Sequence, residues 1–457
     1  MNRRILLFGC VVWAALLSPG CSRPTPKPTV GEWRQFRGPG GLGISVETDL
    51  PVRWGPDSAN IRWRAPVPGS GNSSPIVSRG RLFLTTVYGN PEDNWGQAER
   101  RREPKRVVLA YDLATGKRLW ETVVFEGRAG KKHWDNTHAT PTPVTDGRHV
   151  FVSFDAHLAA LDFDGNIVWH RDVDPYYYEE SHYGVASSPV VADGRLILLQ
   201  DREKGDSGDP GWIAAFDKSN GEEAWRDEWM HTCCSYSTPL VVERGGRLEV
   251  WNQTALEVVA YDARSGKKLW RAEHPSTQTV PSLVRQGDLF STPGGMHTQS
   301  IEMFDLSERD GQGDPLRIWS SRRGAPEISS PVLYRDKMFT VSRVGVLFVR
   351  EAQTGEVLSR RRLRYGAYVA SLVAGDGKVY VVNGEGLTTV IDAAGETPRV
   401  LTHNRLAGGS GASPAIADGS LFLRTKGGLF RIDRRRAVNA AQESEPAAQA
   451  DSGGKDI

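Results

Sequence analysis

Three short segments concentrate the side chains that could do chemistry. His133, Asp135 and His138 come first, Glu179, Glu180, His182 and Tyr183 follow, and His231, Cys233 and Cys234 close the series. Imidazoles and carboxylates at such spacings can move protons, hold a divalent cation or orient a polar ligand. The segments hold four of the ten histidines of the chain. His133-x-Asp135-x-x-His138 is the tightest candidate for a metal site. Histidines in such places also often do no more than bond backbone carbonyls. Cys233 and Cys234 are adjacent, and neighbouring cysteines can close only a strained, easily reduced eight-membered ring. The sequence has no Gly-x-Ser-x-Gly elbow and no His-Glu-x-x-His pair, which argues against the commonest hydrolase designs. Cys-x-x-Cys-His is also absent, so no haem is attached by that motif.

These residues must be positioned by a repeat, because the chain repeats itself. Ala110-Tyr111-Asp112, Ala215-Phe216-Asp217 and Ala260-Tyr261-Asp262 are each followed by a Gly and then a Trp, namely Gly116 and Trp120, Gly221 and Trp225, and Gly266 and Trp270. Ala160-Leu161-Asp162 with Gly165 and Trp169 is a variant. Upstream stand eight anchor pairs: Ser74-Pro75, Thr142-Pro143, Ser188-Pro189, Thr238-Pro239, Pro281-Ser282, Ser330-Pro331, Ala370-Ser371 and Ser413-Pro414. Their spacing, about 45 residues apart from a longer first step, is the period of a four-stranded propeller blade. The spacing predicts an all-β, eight-bladed propeller. Within a unit, strands follow the Ser-Pro pair, run through Leu82-Phe83-Leu84, end at Ala-Tyr-Asp and restart at the Trp. The Asp and Gly make the turn, and Trp63, Trp120, Trp169, Trp225, Trp270 and Trp319 are expected to dock neighbouring blades. The eighth copy stops at Leu429-Phe430-Arg431-Ile432, so Ile61-Arg62-Trp63-Arg64 should complete the last blade and remove the free edges.

In this strand order the loops entering each blade share a face with the loops between second and third strands. Asp155, His157, Asp201, Arg202, Gln253, His297, Arg343, Asn383, Glu385 and Lys426 then join the histidine segments in a polar funnel. His138, His182, His231, Cys233, Cys234, Asp201, Arg202, His297, Arg343, Asn383 and Lys426 are the candidate ligand- or cofactor-binding residues, and a small polar or anionic ligand is the expected guest. Loop insertions at Asn90 to Lys105 and Asp201 to Gly211 enlarge the same face.

Composition sets further bounds. With 57 Lys and Arg against 55 Asp and Glu, the net charge of +2 argues against nucleic acid as an obligatory partner. Residues 1–20 have the layout of an export signal: Arg3-Arg4, an apolar run from Ile5 to Leu17, then Ser18-Pro19-Gly20 before Cys21. Cys21 is the candidate for lipidation, with residues 21–32 as a Pro-rich tether. A plain cleaved signal is the alternative. The propeller is expected over residues 33–436, with a disordered tail over 437–457.

The repeat, and the lead-in Trp33-Arg34-Gln35-Phe36-Arg37-Gly38-Pro39, resemble the bacterial proteins with pyrroloquinoline-quinone-like (PQQ-like) propeller repeats. That family includes BamB-like lipoproteins of outer-membrane β-barrel assembly and calcium- and PQQ-dependent alcohol dehydrogenases. The first branch implies a periplasmic, monomeric, membrane-anchored scaffold with an envelope protein as partner, the outer membrane being the favoured anchor. The second implies PQQ with calcium over a vicinal cysteine pair, which Cys233-Cys234 resembles, with Glu180 or Asp201 as proton acceptor. In those enzymes the pair belongs near the first blades, whereas here it precedes the fourth anchor. The resemblance supports a binding or scaffold protein first and a dehydrogenase second.

Overall fold

Each repeat folds as one four-stranded antiparallel sheet, and why it does so is visible in its burial. In the first unit Arg81–Tyr88 and Lys105–Asp112 are buried along almost their whole length. The outer strand Arg118–Glu126 instead alternates toward solvent. Two dry middle strands carry continuous apolar runs because both of their faces meet neighbouring sheets. The outer strand begins two residues before its Trp. The computed structural model describes residues 30–56, 60–89, 103–127, 129–130, 132–174, 183–201, 210–229, 235–409 and 411–434.

Eight such sheets form an eight-bladed propeller. Blades 1 to 7 are continuous in sequence, starting at Ile76, Val144, Val190, Leu240, Val284, Val332 and Val373. Blade 8 combines Ala415–Ala417, Ser420–Thr425 and Gly428–Asp433 with the N-terminal strand Ile61–Ala65, where Ile61 pairs with Ile432 and Ala65 with Leu429. The N-terminal strand thereby supplies the outer strand of the last blade and closes the ring.

A belt of hydroxyls ties the blades at the channel. The backbone N–H of each anchor hydroxyl residue donates to the side-chain oxygen of the next: Ser74 to Thr142, on through Ser188, Thr238, Ser282, Ser330, Ser371 and Ser413, and back to Ser74, all at 2.9–3.1 Å. The repeating unit is therefore the hydroxyl, which stands first in six anchor pairs and second in Pro281-Ser282 and Ala370-Ser371.

On the outside, the indole N–H of Trp63, Trp120, Trp169, Trp225 and Trp319 donates to a carbonyl in the turn of the following blade, at Leu113, Phe163, Lys218, Ala263 and Ala352. The same rings cover Gly116, Gly165, Gly221, Gly266 and Gly355, leaving no room for a Cβ. Trp270 differs. Its N–H donates to Glu249 of its own blade at 3.3 Å, and its ring packs on Trp251 and Phe290.

The lead-in crosses the channel end opposite the blade-entry loops. Trp33 bridges to Val77, the Arg34 carbonyl accepts from Thr145, and Ser45 bonds Ala374. Arg37, 1% exposed, donates to the carbonyls of Leu42 and Pro331.

Several boundaries shift from the sequence expectation. Gly31 and Glu32, counted with the tether, already bond Glu47 and Arg79. Lys105 and Gly211 begin strands rather than end loops, and His157 opens the strand His157–Asp162. The export segment, Cys21, most of the tether and the C-terminal residues from 435 onward lie outside the described residues.

Candidate functional site

Above the hydroxyl belt the channel widens into a cavity of about 310 Å³. Ser74, Ser188, Thr238, Ser282, Ser330, Ser371 and Ser413 reach its floor, together with Phe36 from the lead-in. The walls come from the blade-entry loops, with Asn72, His133, Asp135, Asn136, Tyr183, Tyr236 and Gln278. Met296, His297 and Arg343 come from the loops between second and third strands.

The loop entering blade 2 is built to overhang this cavity. Its turn is closed by Asn136 N–H donating to the His133 carbonyl at 2.9 Å and Asp135 N–H donating to His133 Nδ1 at 3.2 Å. Asn136 Nδ2 holds it to the Tyr183 carbonyl at 2.8 Å, and Asn72 N–H donates to Thr137 Oγ1 at 3.1 Å on the other side. So braced, Asp135 pairs with Arg343 at 2.6 Å. Arg343 belongs to blade 6, four blades away, so this ion pair spans the funnel from one side of the ring to the other. The guanidinium also lies 5.1 Å from the Trp134 ring centre, and Trp134 is 59% exposed. Aromatic rings continue around the wall, with His133 against Tyr183 at 5.6 Å and Tyr183 against Tyr236 at 6.2 Å.

Burial pushes the His133 imidazole below its ordinary pKa; the Asp135 charge opposes this and Arg343 reinforces it. Nδ1 accepting from Asp135 N–H fits the neutral ring. Asp135 is the one carboxylate among the described lining residues, and Arg343 the one guanidinium. Among the described residues the lining is thus nearly neutral and rich in amides, hydroxyls and aromatic faces, which suits recognition by hydrogen bonding and stacking.

The other candidates are placed as follows. His297 and Arg343 line the cavity with His133 and Asp135. His138 does not join them; it is buried and bonded to Asp155 at 3.1 Å, and Asp155 in turn pairs with the buried Arg106. His133 and Asp135 remain 4.0 Å apart. Asp201 accepts from Ser235 N–H at 2.8 Å and Trp229 Nε1 at 3.2 Å, beside a smaller void of about 20 Å³. Asn383 is fully buried as a turn brace, donating to the Tyr365 carbonyl and accepting from Glu385 and Leu387 N–H. Lys426 lies in a hairpin turn whose N–H donates to Gly409. Glu179, Glu180, His182, Arg202, His231, Cys233 and Cys234 lie outside the described residues.

Sequence reasoning missed Phe36, Trp134, Tyr236 and the hydroxyl floor. Only the floor had a usable signal, since each anchor pair contains one Ser or Thr.

A family profile described as outer membrane protein assembly factor BamB matches residues 11–127, 104–294 and 295–439. A quinone alcohol dehydrogenase subunit from Gluconacetobacter polyoxogenes is 29% identical over 158 residues, covering 34% of this chain and 19% of that protein. PedH, a quinoprotein alcohol dehydrogenase of Pseudomonas putida, is 26% identical over 160 residues, covering 34% of this chain and 22% of PedH. The matched stretch thus spans about a fifth of those relatives. Among solved structures, BamB from Moraxella catarrhalis superposes with a TM-score of 0.52 at 13% identity, covering 85% of this chain and 96% of that one. A europium-containing methanol dehydrogenase superposes with a TM-score of 0.60 at 9% identity, covering 87% and 89%.

Proposed function

The chain belongs to the family described as outer membrane protein assembly factor BamB, and on that premise we propose that it is a binding or scaffold protein of the bacterial cell envelope. It is exported, anchored through a lipid on Cys21, and offers its funnel face to an envelope protein or a small polar ligand. The observation that carries this reading is the Asp135–Arg343 pair across the mouth. The one acid in the described lining is neutralised by a cation, and the rest of the wall is built to recognise surfaces. Exposed Trp134, Met296 and Val344 around the rim add apolar contact area.

The dehydrogenase reading draws support from the two quinoprotein matches and from a cavity on the propeller axis. The described lining does not fit PQQ with calcium. A tricarboxylate would meet one guanidinium already paired with Asp135, and calcium would find a single carboxylate, engaged in that same pair, beside the neutral amide oxygens of Asn72, Asn136 and Gln278. No reaction step is derived through the quinone.

The test is photo-cross-linking in intact envelopes from a probe at position 297, with position 245, in a turn at the other end of a blade, as reference. Protein adducts from 297 alone, and release of a Cys21→Ala variant into the soluble fraction, are the expected results. Equal labelling from both positions would defeat the proposal. Saturable quenching of Trp fluorescence by PQQ and calcium, lost when Arg343 becomes Gln, would replace it with the dehydrogenase reading.

A further inference from the structure

Away from the funnel, blades 1 and 2 meet at a rim where three donor side chains converge. His157 opens the third strand of blade 2, and the fourth strand, Ile167–Asp172, places Asp172 directly opposite it. His170 stands two residues before Asp172, on the same face of the pleat. Asp172 Oδ1 lies 2.5 Å from His157 Nδ1 and 3.8 Å from His170 Nε2. One ligand atom from each residue falls within 4.8 Å of the others.

We infer that His157, His170 and Asp172 form a binding site for a divalent first-row metal ion of the zinc class. Zinc–nitrogen bonds of about 2.0–2.1 Å in tetrahedral geometry set donor atoms about 3.4 Å apart. The two separations from Asp172, 2.5 and 3.8 Å, bracket that value, and all three ligand atoms fall within 4.8 Å of one another. A His157–Asp172 hydrogen bond would by itself explain two of the residues, but it leaves His170 unaccounted for. The His170 ring is one-third exposed, but its Nε2 atom is itself buried, lies 3.8 Å from Asp172 and has no hydrogen-bond partner among the described residues; a buried ring nitrogen left unsatisfied is costly unless something binds it.

The surroundings suit a cation. The ring of Phe125, from blade 1, lies 3.4 Å from the centre of the His157 ring and 6.4 Å from that of His170, walling off one side. The neighbouring guanidinium of Arg106 is already paired with Asp155. Asp172, with its side chain 71% exposed, opens the site to solvent while the His157 side chain is 6% exposed. Three protein donors leave a fourth tetrahedral position for water or an incoming carboxylate. The ion would tie the last strand of blade 2 to the third strand of the same blade, against the Phe125 ring of blade 1.

The experiment is Co²⁺ titration of the purified chain without its export segment, followed by visible absorption and then displacement with Zn²⁺. One equivalent with tetrahedral ligand-field bands and no sulfur charge-transfer band is expected. His170→Gln and Asp172→Asn should each weaken binding by at least the roughly 10–100-fold that loss of an outer-shell partner costs. Asp172 is exposed, so its variant keeps the test open if His170→Gln melts early. Absence of saturable binding, a thiolate band, or full affinity in Asp172→Asn would overturn the assignment.

Discussion

Replacing Gly221 by Ala tests the blade-docking contact against its own control. Gly221 has φ +74°, and an added Cβ would sit 2.7 Å from Cε3 of Trp169 in the preceding blade. Gly194 has nearly the same φ, +79°, but a Cβ there meets nothing within 4 Å. An L-residue in the left-handed region costs about 1–2 kcal/mol, partly offset by about 0.4–1 kcal/mol from a stiffer unfolded chain. Gly194→Ala should therefore lose about 1 kcal/mol or less. Gly221→Ala adds overpacking against an indole fixed by its bond to the Lys218 carbonyl at 3.0 Å, about 1–3 kcal/mol more. With an unfolding entropy of about 2.1 cal/mol/K per residue over roughly 400 ordered residues, each kcal/mol lowers Tm by about 1.2 °C. Calorimetry should show a fall of about 2–5 °C for Gly221→Ala and about 1 °C for Gly194→Ala. In a Trp169→Val background the extra loss should vanish, a coupling of about 1–3 kcal/mol. Equal shifts for the two glycines, or strict additivity with Trp169→Val, would refute the argument that the indole dictates glycine.

Three further perturbations probe the interior. Ser330→Ala deprives the buried Ser282 N–H of its acceptor and should cost about 1–3 kcal/mol; Ser330→Thr, which keeps the oxygen, should restore most of it in urea melts, and equal losses would count against the belt. Burial disfavours the charged form of Asp155, yet His138 and Arg106 hold its carboxyl far below the carboxylate range. Its contribution is therefore present above about pH 4 and is lost as pH falls further. Asp155→Asn should cost about 3–5 kcal/mol at neutral pH by stranding Arg106 and should flatten the acid limb of the stability curve. Burial pushes His274 down to about 4, and its Nδ1 accepts from Ser276 N–H at 3.2 Å. The folded state thus binds fewer protons than the unfolded one between pH 4 and the ordinary value near 6.5. Stability is full above that value and drops by roughly 3 kcal/mol as pH falls to about 4; His274→Asn, which accepts without titrating, should abolish that slope in pH-dependent melts.

How far a sequence discloses such a molecule depends on the range over which its constraints act. The blade is local. Asp112, Thr115 and Gly116 make their turn within five residues, Asp112 Oδ1 accepting from the Thr115 N–H at 2.8 Å and hydroxyl at 2.6 Å, so the phrase repeats legibly. The belt is regular but shared between blades. Its register becomes plain only when the bonds show that Ser282 and Ser371, not their partners in the anchor pairs, carry the repeat.

The funnel is non-local, and there spacing misdirects. His133-x-Asp135-x-x-His138 reads as one cluster, yet its members face three ways. Asp135 reaches a blade 208 positions downstream at Arg343, His138 turns inward to Asp155, and His133 lies against Tyr183. Each goes where an opposite charge or a ring lies within reach: His138 finds Asp155 within its own blade, His133 finds Tyr183 in the loop entering the next blade, and only Asp135 needs the closed ring, which sets Arg343 across the funnel from it. The His157, His170 and Asp172 group fails to announce itself for a subtler reason. Its convergence needs His157 opposite Asp172, and that pairing rests on the irregularity between Ala160 and Leu161. Slipping the outer strand by one residue would send His170 and Asp172 to the opposite face. A twelve-residue gap between two histidines carries no signal of its own; register turns it into a site.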